Sequence, residues 1–154
     1  MSAIQNDAIR FATFFLEGQV FGVDILRMRE VIRPVEITKV PPAESFVEGV
    51  INLRGVVIPV ISLRALFDMP AKPLGKETRI INMEIDAMVV GFIVDSIGHG
   101  YSVPANAIKP APAVAAAVDV EYIAGIANVD DTLLVILDVD KLVAMEILQE
   151  FAQK

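Results

Sequence analysis

Apolar residues in this chain come in short runs separated by small polar or glycine-containing breaks, the rhythm of strands and tight turns. Phe11–Leu16 is one such run. Glu17-Gly18-Gln19 interrupts it and Val20–Val23 resumes, which predicts a hairpin. From Asp24 to Val31 the spacing of Ile25, Met28 and Val31 or Ile32 fits either a helical turn or an irregular strand, and Pro34 stops any long helix. Val40-Pro41-Pro42 predicts a stiff edge or loop, and Ala43–Phe46 a single helical turn. Gly49–Leu53 and Val56–Ile61 form a second hairpin about Asn52–Gly55, with Gly55 suited to a positive φ. Pro59 predicts an edge or a bulge in its strand. Ser62 is placed to cap a short helix with Leu63, Leu66 and Phe67 on one face. Pro70–Glu77 and Ala111–Asp119 read as linkers.

The same order of elements occurs twice. Gly49-Val50-Ile51-Asn52-Leu53 matches Gly125-Ile126-Ala127-Asn128-Val129, and Val57–Leu63 matches Leu133–Val139. Leu66 falls on Leu142, Ser62 on Asp138, and Phe46-Val47 on Tyr122-Ile123. A second match sets Phe11–Leu16 against Ile80–Ile85, Glu17 against Asp86, and Val20–Val23 against Val89–Phe92. An internal repeat of this kind predicts two similar subdomains within one domain spanning residues 1–154, approximately 11–75 and 76–143, with exchange of strands or termini between them allowed. The expected class is all-β with short helices. Two small five-stranded barrels fit best because closing a sheet removes its exposed edges, although the pattern alone does not separate two barrels from one sandwich.

Composition narrows the function. With no cysteine, a disulfide framework, a thiolate metal site and a cysteine nucleophile are excluded, and a reducing compartment is suited. Apolar residues make up 55% of the chain and mean hydropathy is +0.59. Yet the most suspicious segment, Ala87–Val94, lies between Asp86 and Asp95 and falls far short of the ~18–20 residues that span a bilayer. The start, MSAIQNDAIRF, shows no basic cluster followed by an apolar core. The expectation is a cytoplasmic protein with no direct membrane insertion. A net charge of −7 disfavours nucleic acid, and the basic cluster Arg27, Arg29, Arg33, Lys39 is interrupted by Glu30 and Glu36. High apolar content without a span implies either a core large for the length or apolar surface meant for partners.

Candidate chemistry is sparse. His99, the only histidine, sits between Gly98 and Gly100 and reads as a turn residue. Asp130-Asp131, with Asp138 and Asp140 after the next strand, carry the alternative of a small metal-dependent enzyme. The corresponding slots of the first repeat hold Gly55 and Ser62, which favours turn and helix cap over metal. Glu84 and Asp86 alternate on a strand without a visible cleft or partner. No phosphate loop or dinucleotide fingerprint appears. The expectation is therefore no enzyme, no metal and no cofactor; a purely structural oligomer is a third class. Arg54, at a hairpin tip beside Asn52 and Gly55, is suited to gripping a partner carboxylate or to simple solvation.

The run Gly49–Leu66, GVINLRGVVIPVISLRAL, resembles the central signature of the CheW family of chemotaxis adaptors. The resemblance extends from about Phe11 to Val143 through Gly22-Val23-Asp24-Ile25, Glu30-Val31-Ile32-Arg33, Ile37–Pro41, Thr78–Ile81, Val94-Asp95, Val103-Pro104, Tyr122–Gly125 and Leu133–Leu142. It implies two five-stranded SH3-like barrels and a scaffold without cofactor or catalysis. The implied partners are the regulatory domain of a CheA-like histidine kinase, met through exposed apolar residues of one barrel, and the cytoplasmic tip of methyl-accepting chemoreceptors, met in a groove between the barrels. Arrays of these assemblies lie beneath the inner membrane. Carried over by position, the partner-binding residues are Met28, Glu30, Gly49, Asn52, Arg54 and Gly55. Gly98-His99-Gly100-Tyr101 departs from the family pattern, and Ala111–Asp119 is unusually alanine-rich. The chain has no room for a kinase or receiver domain, which favours a standalone adaptor, in a flagellar or in a gliding, twitching or developmental pathway.

Overall fold

The computed structural model describes residues 7–39, 46–112 and 118–142. The loop and helical turn predicted at 40–45, and the middle of the alanine-rich linker, lie outside the described residues. Among the described residues the strands are β1 (Ala8–Leu16), β2 (Gln19–Asp24), β3 (Met28–Ile32), β4 (Val47–Leu53), β5 (Val56–Ser62), β6 (Arg79–Ile85), β7 (Met88–Val94), β8 (Ser96–Ile97), β9 (Tyr101–Pro104), β10 (Ile123–Val129) and β11 (Thr132–Leu137), and a short helix, α1, spans Leu63–Leu66. The ambiguous stretch after Asp24 is both things in turn: a 3-10 turn at Ile25–Arg27, then β3. Residues 69–78 carry no regular element, as the Pro70–Glu77 linker predicts.

Local chemistry explains the hairpins. Each of the four long hairpins turns on two residues with positive φ: Glu17-Gly18, Arg54-Gly55, Asp86-Ala87 and Asp130-Asp131. Such left-handed pairs match the right-handed twist of the strands they join. At Asn52 the side-chain oxygen also accepts the Gly55 N–H at 3.0 Å, which fixes the second turn. Ser62 caps α1 by accepting the Ala65 N–H at 3.2 Å, and Asp138 caps the 3-10 turn Val139–Lys141 by accepting the Asp140 N–H at 3.2 Å.

The strands form two mixed sheets. One runs β3-β6-β7-β5-β4; the other runs β10-β11-β2-β1, with β8 and β9 pairing along successive parts of β1. In both, two antiparallel hairpins meet through a parallel contact, β5 with β7 and β11 with β2. Each is also joined edge to edge by one bridge. The chain leaving β3 returns at Thr38 to pair with Val50 of β4, and the chain leaving β9 returns at Lys109 to pair with Ile126 of β10. Matching bulges occur at Val47/Gly49 and Ile123/Gly125. The repeat read from the sequence is thus present down to its irregularities.

The exchange of strands allowed for by the repeat takes a definite form. β1 and β2 belong to the sheet of β10 and β11, and β6 and β7 to the sheet of β3–β5. Each repeat contributes its first hairpin to the other repeat's sheet, so a cut near residue 75 follows the repeat but not the sheets. Pro59 is also not on an edge strand, since β5 lies between β4 and β7. Proline is tolerated because the ladder with β7 begins only at Val60.

Burial explains the composition. Ile51, Ile58, Val60 and Ile80 fill one sheet; Phe11, Val103, Ala127, Leu134 and Ile136 fill the other. A third and larger core, with Phe14, Phe21, Phe67, Ile81, Met83 and Phe92, lies between them. Strands such as β6 and β11 are therefore buried on both faces and read as continuous apolar runs instead of alternating ones. Phe14, Phe21, Phe67 and Tyr122 form a chain of ring contacts through this shared core, with centroids 5.7–5.9 Å apart.

Candidate partner-binding groove

Both crossovers between the sheets run along one side of the molecule. The first is the 3-10 turn Ile25–Arg27 leading into β3; the second is Asp95–Gly100, leading from β7 through β8. Between them lies an open cavity of about 200 Å³. Its floor is Ala12 and Thr13 of β1 with Ile81 of β6, and its walls are Ile25, Met28 and Val31 on one side and Ile97, Gly98 and Gly100 on the other. Val31 and Ile97 are large apolar residues left exposed there. Ala12 and Ile81 are corresponding positions of the repeat, so the groove follows the molecule's internal symmetry.

The residues expected to bind partners divide into four groups. Met28 is half-buried, lining the groove and packing on the shared core. Glu30 and Arg54 come together: Arg54 Nη2 donates to Glu30 Oε1 at 2.5 Å, while 69% of the Arg54 side chain stays exposed. Asn52 and Gly55 shape the turn that presents Arg54. Gly49 is a backbone device. Its φ is +147°, and a Cβ there would lie 2.1 Å from the Thr38 carbonyl oxygen, so only glycine lets the edge bridge close. Beside Arg54, Val56 and Val57 are 57% and 62% exposed, apolar surface at the tip of the β4–β5 hairpin.

The departure at Gly98–Tyr101 supplies Gly98 and Gly100 to the second wall. A Cβ on Gly98 would meet Thr13 Oγ1 at 2.5 Å, and the Thr13 hydroxyl donates to the His99 carbonyl. The glycine lets the corner sit directly on β1, and His99 is exposed in the irregular stretch between β8 and β9.

Two guanidinium groups that sequence reading passed over hold the crossovers. Arg27 donates from Nε and Nη2 to the Glu84 carbonyl (3.1 and 2.9 Å) and from Nη1 and Nη2 to Asp140 (3.2 and 2.6 Å). Arg64 grips both oxygens of Asp95 at 2.7 Å, reaches Glu17 at 2.6 Å, and donates to the Pro70 carbonyl at 2.6 Å. Burial pushes the Asp95 carboxyl upward, but the Arg64 hydrogen bonds, the Glu17 N–H and the nearby charges outweigh it and hold the group below the usual carboxylate range. Hydrogen bonding to Arg27, opposed by slight burial, likewise lowers Asp140. The sequence did contain a signal: sliding the repeat on itself sets Arg64 on Asp140, a cation on an anion.

The alternative acidic site does not assemble. Asp130 and Asp131 occupy an exposed turn, Glu84 pairs with Arg29 at 3.2 Å, and Asp86 sits in a hairpin turn. Among the described residues no three histidine or carboxylate side chains gather to hold a metal ion, and no helix is long and apolar enough to cross a membrane.

Comparison with known proteins agrees with this architecture. The scaffolding protein TtCheW of Thermoanaerobacter tengcongensis, known from a crystal structure, superposes with a TM-score of 0.83 at 35% identity over 90% of each chain. The chemotaxis protein CheW of Klebsiella aerogenes is 32% identical over 136 residues, covering 88% of this chain and 82% of that protein. The chemotaxis protein CheW of Treponema pallidum is 27% identical over 154 residues, covering 97% and 91%. The model of the CheW-like domain family matches residues 10–146, and the chain belongs to that family.

Proposed function

We propose that this protein is a non-enzymatic cytoplasmic scaffold that couples chemoreceptors to a CheA-like histidine kinase. The observation that carries the reading is the apolar groove walled by Ile25, Met28, Val31 and Ile97, with the Glu30–Arg54 pair at the neighbouring hairpin tip. A shallow apolar channel fits one amphipathic helix, the form taken by a receptor's helical-hairpin tip, and charges beside it set register more than affinity. Met28 contributes contact area, Glu30 and Arg54 orientation, Asn52 and Gly55 the presentation of Arg54, and Gly49 the frame behind them. The kinase regulatory domain takes the exposed Val56 and Val57 at the β4–β5 tip. One apolar core joins the two sheets, which supports reading the chain as one domain that carries both contacts. The expected location is at receptor arrays beneath the inner membrane, without insertion.

The test is titration of the purified protein with a soluble chemoreceptor cytoplasmic fragment and, separately, with a CheA-like kinase regulatory domain. Val31→Glu is expected to abolish the receptor titration and spare the kinase one, and Val57→Glu the reverse. A protein that binds neither fragment at high micromolar concentration would refute the reading.

A further inference from the structure

The groove's first wall is the 3-10 turn Ile25–Arg27 running into β3, and its second is the crossover Asp95–Gly100. The 3-10 turn Ile25–Arg27 has no fully buried residue, whereas β3 pairs with β6 and the second crossover is pinned to β1 by the short β8 pairing and by the Asp95 N–H to Phe15 and Gly98 N–H to Thr13 carbonyl bonds. Each crossover also carries one guanidinium–carboxylate clamp outside the groove. Arg27 lies in the first crossover, and its carboxylate, Asp140, follows β11. Asp95 starts the second crossover, and its guanidinium, Arg64, follows β5. Arg64 and Asp140 hold corresponding places in the two repeats, each two residues after a helix-capping side chain. One clamp has its guanidinium on the crossover and the other has it after the hairpin. Both clamps also reach across the sheets. Arg27, leaving β2, chelates a carbonyl of β6, and Arg64 reaches Glu17 in the β1–β2 turn.

We propose that these two clamps set the width of the groove, making Arg27 and Arg64 positioning residues for the docked helix although neither lines the groove. The inference rests on the reading of the groove as the receptor site. Arg27 holds Ile25 and Met28 at the first wall, and Arg64, through Asp95, holds Ile97–Gly100 at the second. A wall freed to shift by about 1 Å loses complementarity along the whole docked helix. A bidentate guanidinium does what a lysine point charge cannot, since only the planar fork serves a carboxylate and a main-chain carbonyl together.

The experiment compares wild type, Arg27→Met, Arg27→Lys, Arg64→Lys and Val31→Glu. Each is titrated with the soluble receptor fragment and with the kinase regulatory domain, well below its melting temperature. Methyl spectra of Ile25, Met28 and Ile97 report the walls in the unbound protein. In Arg27→Met the Ile25 and Met28 methyls are expected to shift and the receptor Kd to rise about tenfold, with the kinase Kd within about twofold of wild type. Arg27→Lys is expected to fall between, and Arg64→Lys to move Ile97 and weaken the receptor alone. A purely structural clamp would lower the melting temperature without changing either affinity. Folded Arg27→Met and Arg64→Lys that bind receptor as wild type does, while Val31→Glu does not bind, would overturn the proposal and leave the groove reading standing. Unchanged receptor binding by Val31→Glu would sink both.

Discussion

Replacing Gly49 with alanine separates a contact role from a backbone role. Family resemblance places this residue among the partner-binding positions, whereas the structure makes it the hinge of a bulge. A Cβ would lie 2.1 Å from the Thr38 oxygen and 2.8 Å from its carbonyl carbon, and both belong to rigid backbone. The Thr38 segment must therefore withdraw, breaking the reciprocal bonds Thr38 N–H to Val50 O and Val50 N–H to Thr38 O, both 2.8 Å. Two backbone hydrogen bonds are worth about 1 kcal/mol each net. Holding a side chain at φ +147° adds about 1–3 kcal/mol. The sum, about 3–5 kcal/mol, is a large share of the roughly 5–15 kcal/mol that stabilises a typical domain. Urea unfolding at neutral pH should show this loss. Partner affinities measured on the fraction still folded should change less than about threefold, a free-energy change of well under 1 kcal/mol. A variant within about 0.5 kcal/mol of wild type that retains the Thr38–Val50 bonds by hydrogen exchange would refute the reasoning. Unchanged stability with lost binding would return Gly49 to the contact surface.

Other consequences follow from single sites. Ala87 holds φ +68° in the β6–β7 turn, so Ala87→Gly should raise the urea midpoint by the equivalent of about 1 kcal/mol; no gain would contradict a left-handed turn there. Asn82 is 1% exposed, and neither side-chain polar atom has a hydrogen-bond partner among the described residues. Asn82→Val should accordingly be neutral or stabilising by up to about 2 kcal/mol, read by thermal melting. Because the folded Asp95 and Asp140 carboxyls lie below their unfolded values, their clamps stabilise fully above the unfolded carboxylate pKa of about 4 and are lost as pH falls through the folded values. The wild type should lose stability more steeply than Asp95→Asn below about pH 4, and parallel acid limbs would show that the clamp contributes nothing.

How far the sequence reached depends on what each feature encodes. Turn residues and caps act locally, so Asn52, Gly55, Ser62 and Asp138 announced their roles directly. The duplicated hairpins were visible because apolar runs survive divergence. Which sheet each hairpin joins was not visible, since a strand buried on both faces, such as β6, carries no mark of its partners. The exchange of first hairpins between repeats is written only in long-range pairing such as Ile136 with Gly22 and Val60 with Gly91. The apolar excess raised a choice between a large core and partner surface; a third core lies between the sheets, and Val31, Val56, Val57 and Ile97 stay exposed. Glu30 and Arg54 emerged by resemblance, but their ion pair and the groove beside them needed geometry, because the groove's walls come from residues about 70 positions apart in sequence.

The central claim is coupling, and reconstitution measures it most directly. Kinase autophosphorylation is followed with receptor-bearing membranes and a CheA-like kinase, with and without this protein, and then with Val31→Glu or Val57→Glu in its place. The account predicts that receptor control of the kinase appears only with the wild-type chain, and that each variant retains one partner yet fails to couple. Receptor control that is equally strong without the protein, or with both variants, would contradict it.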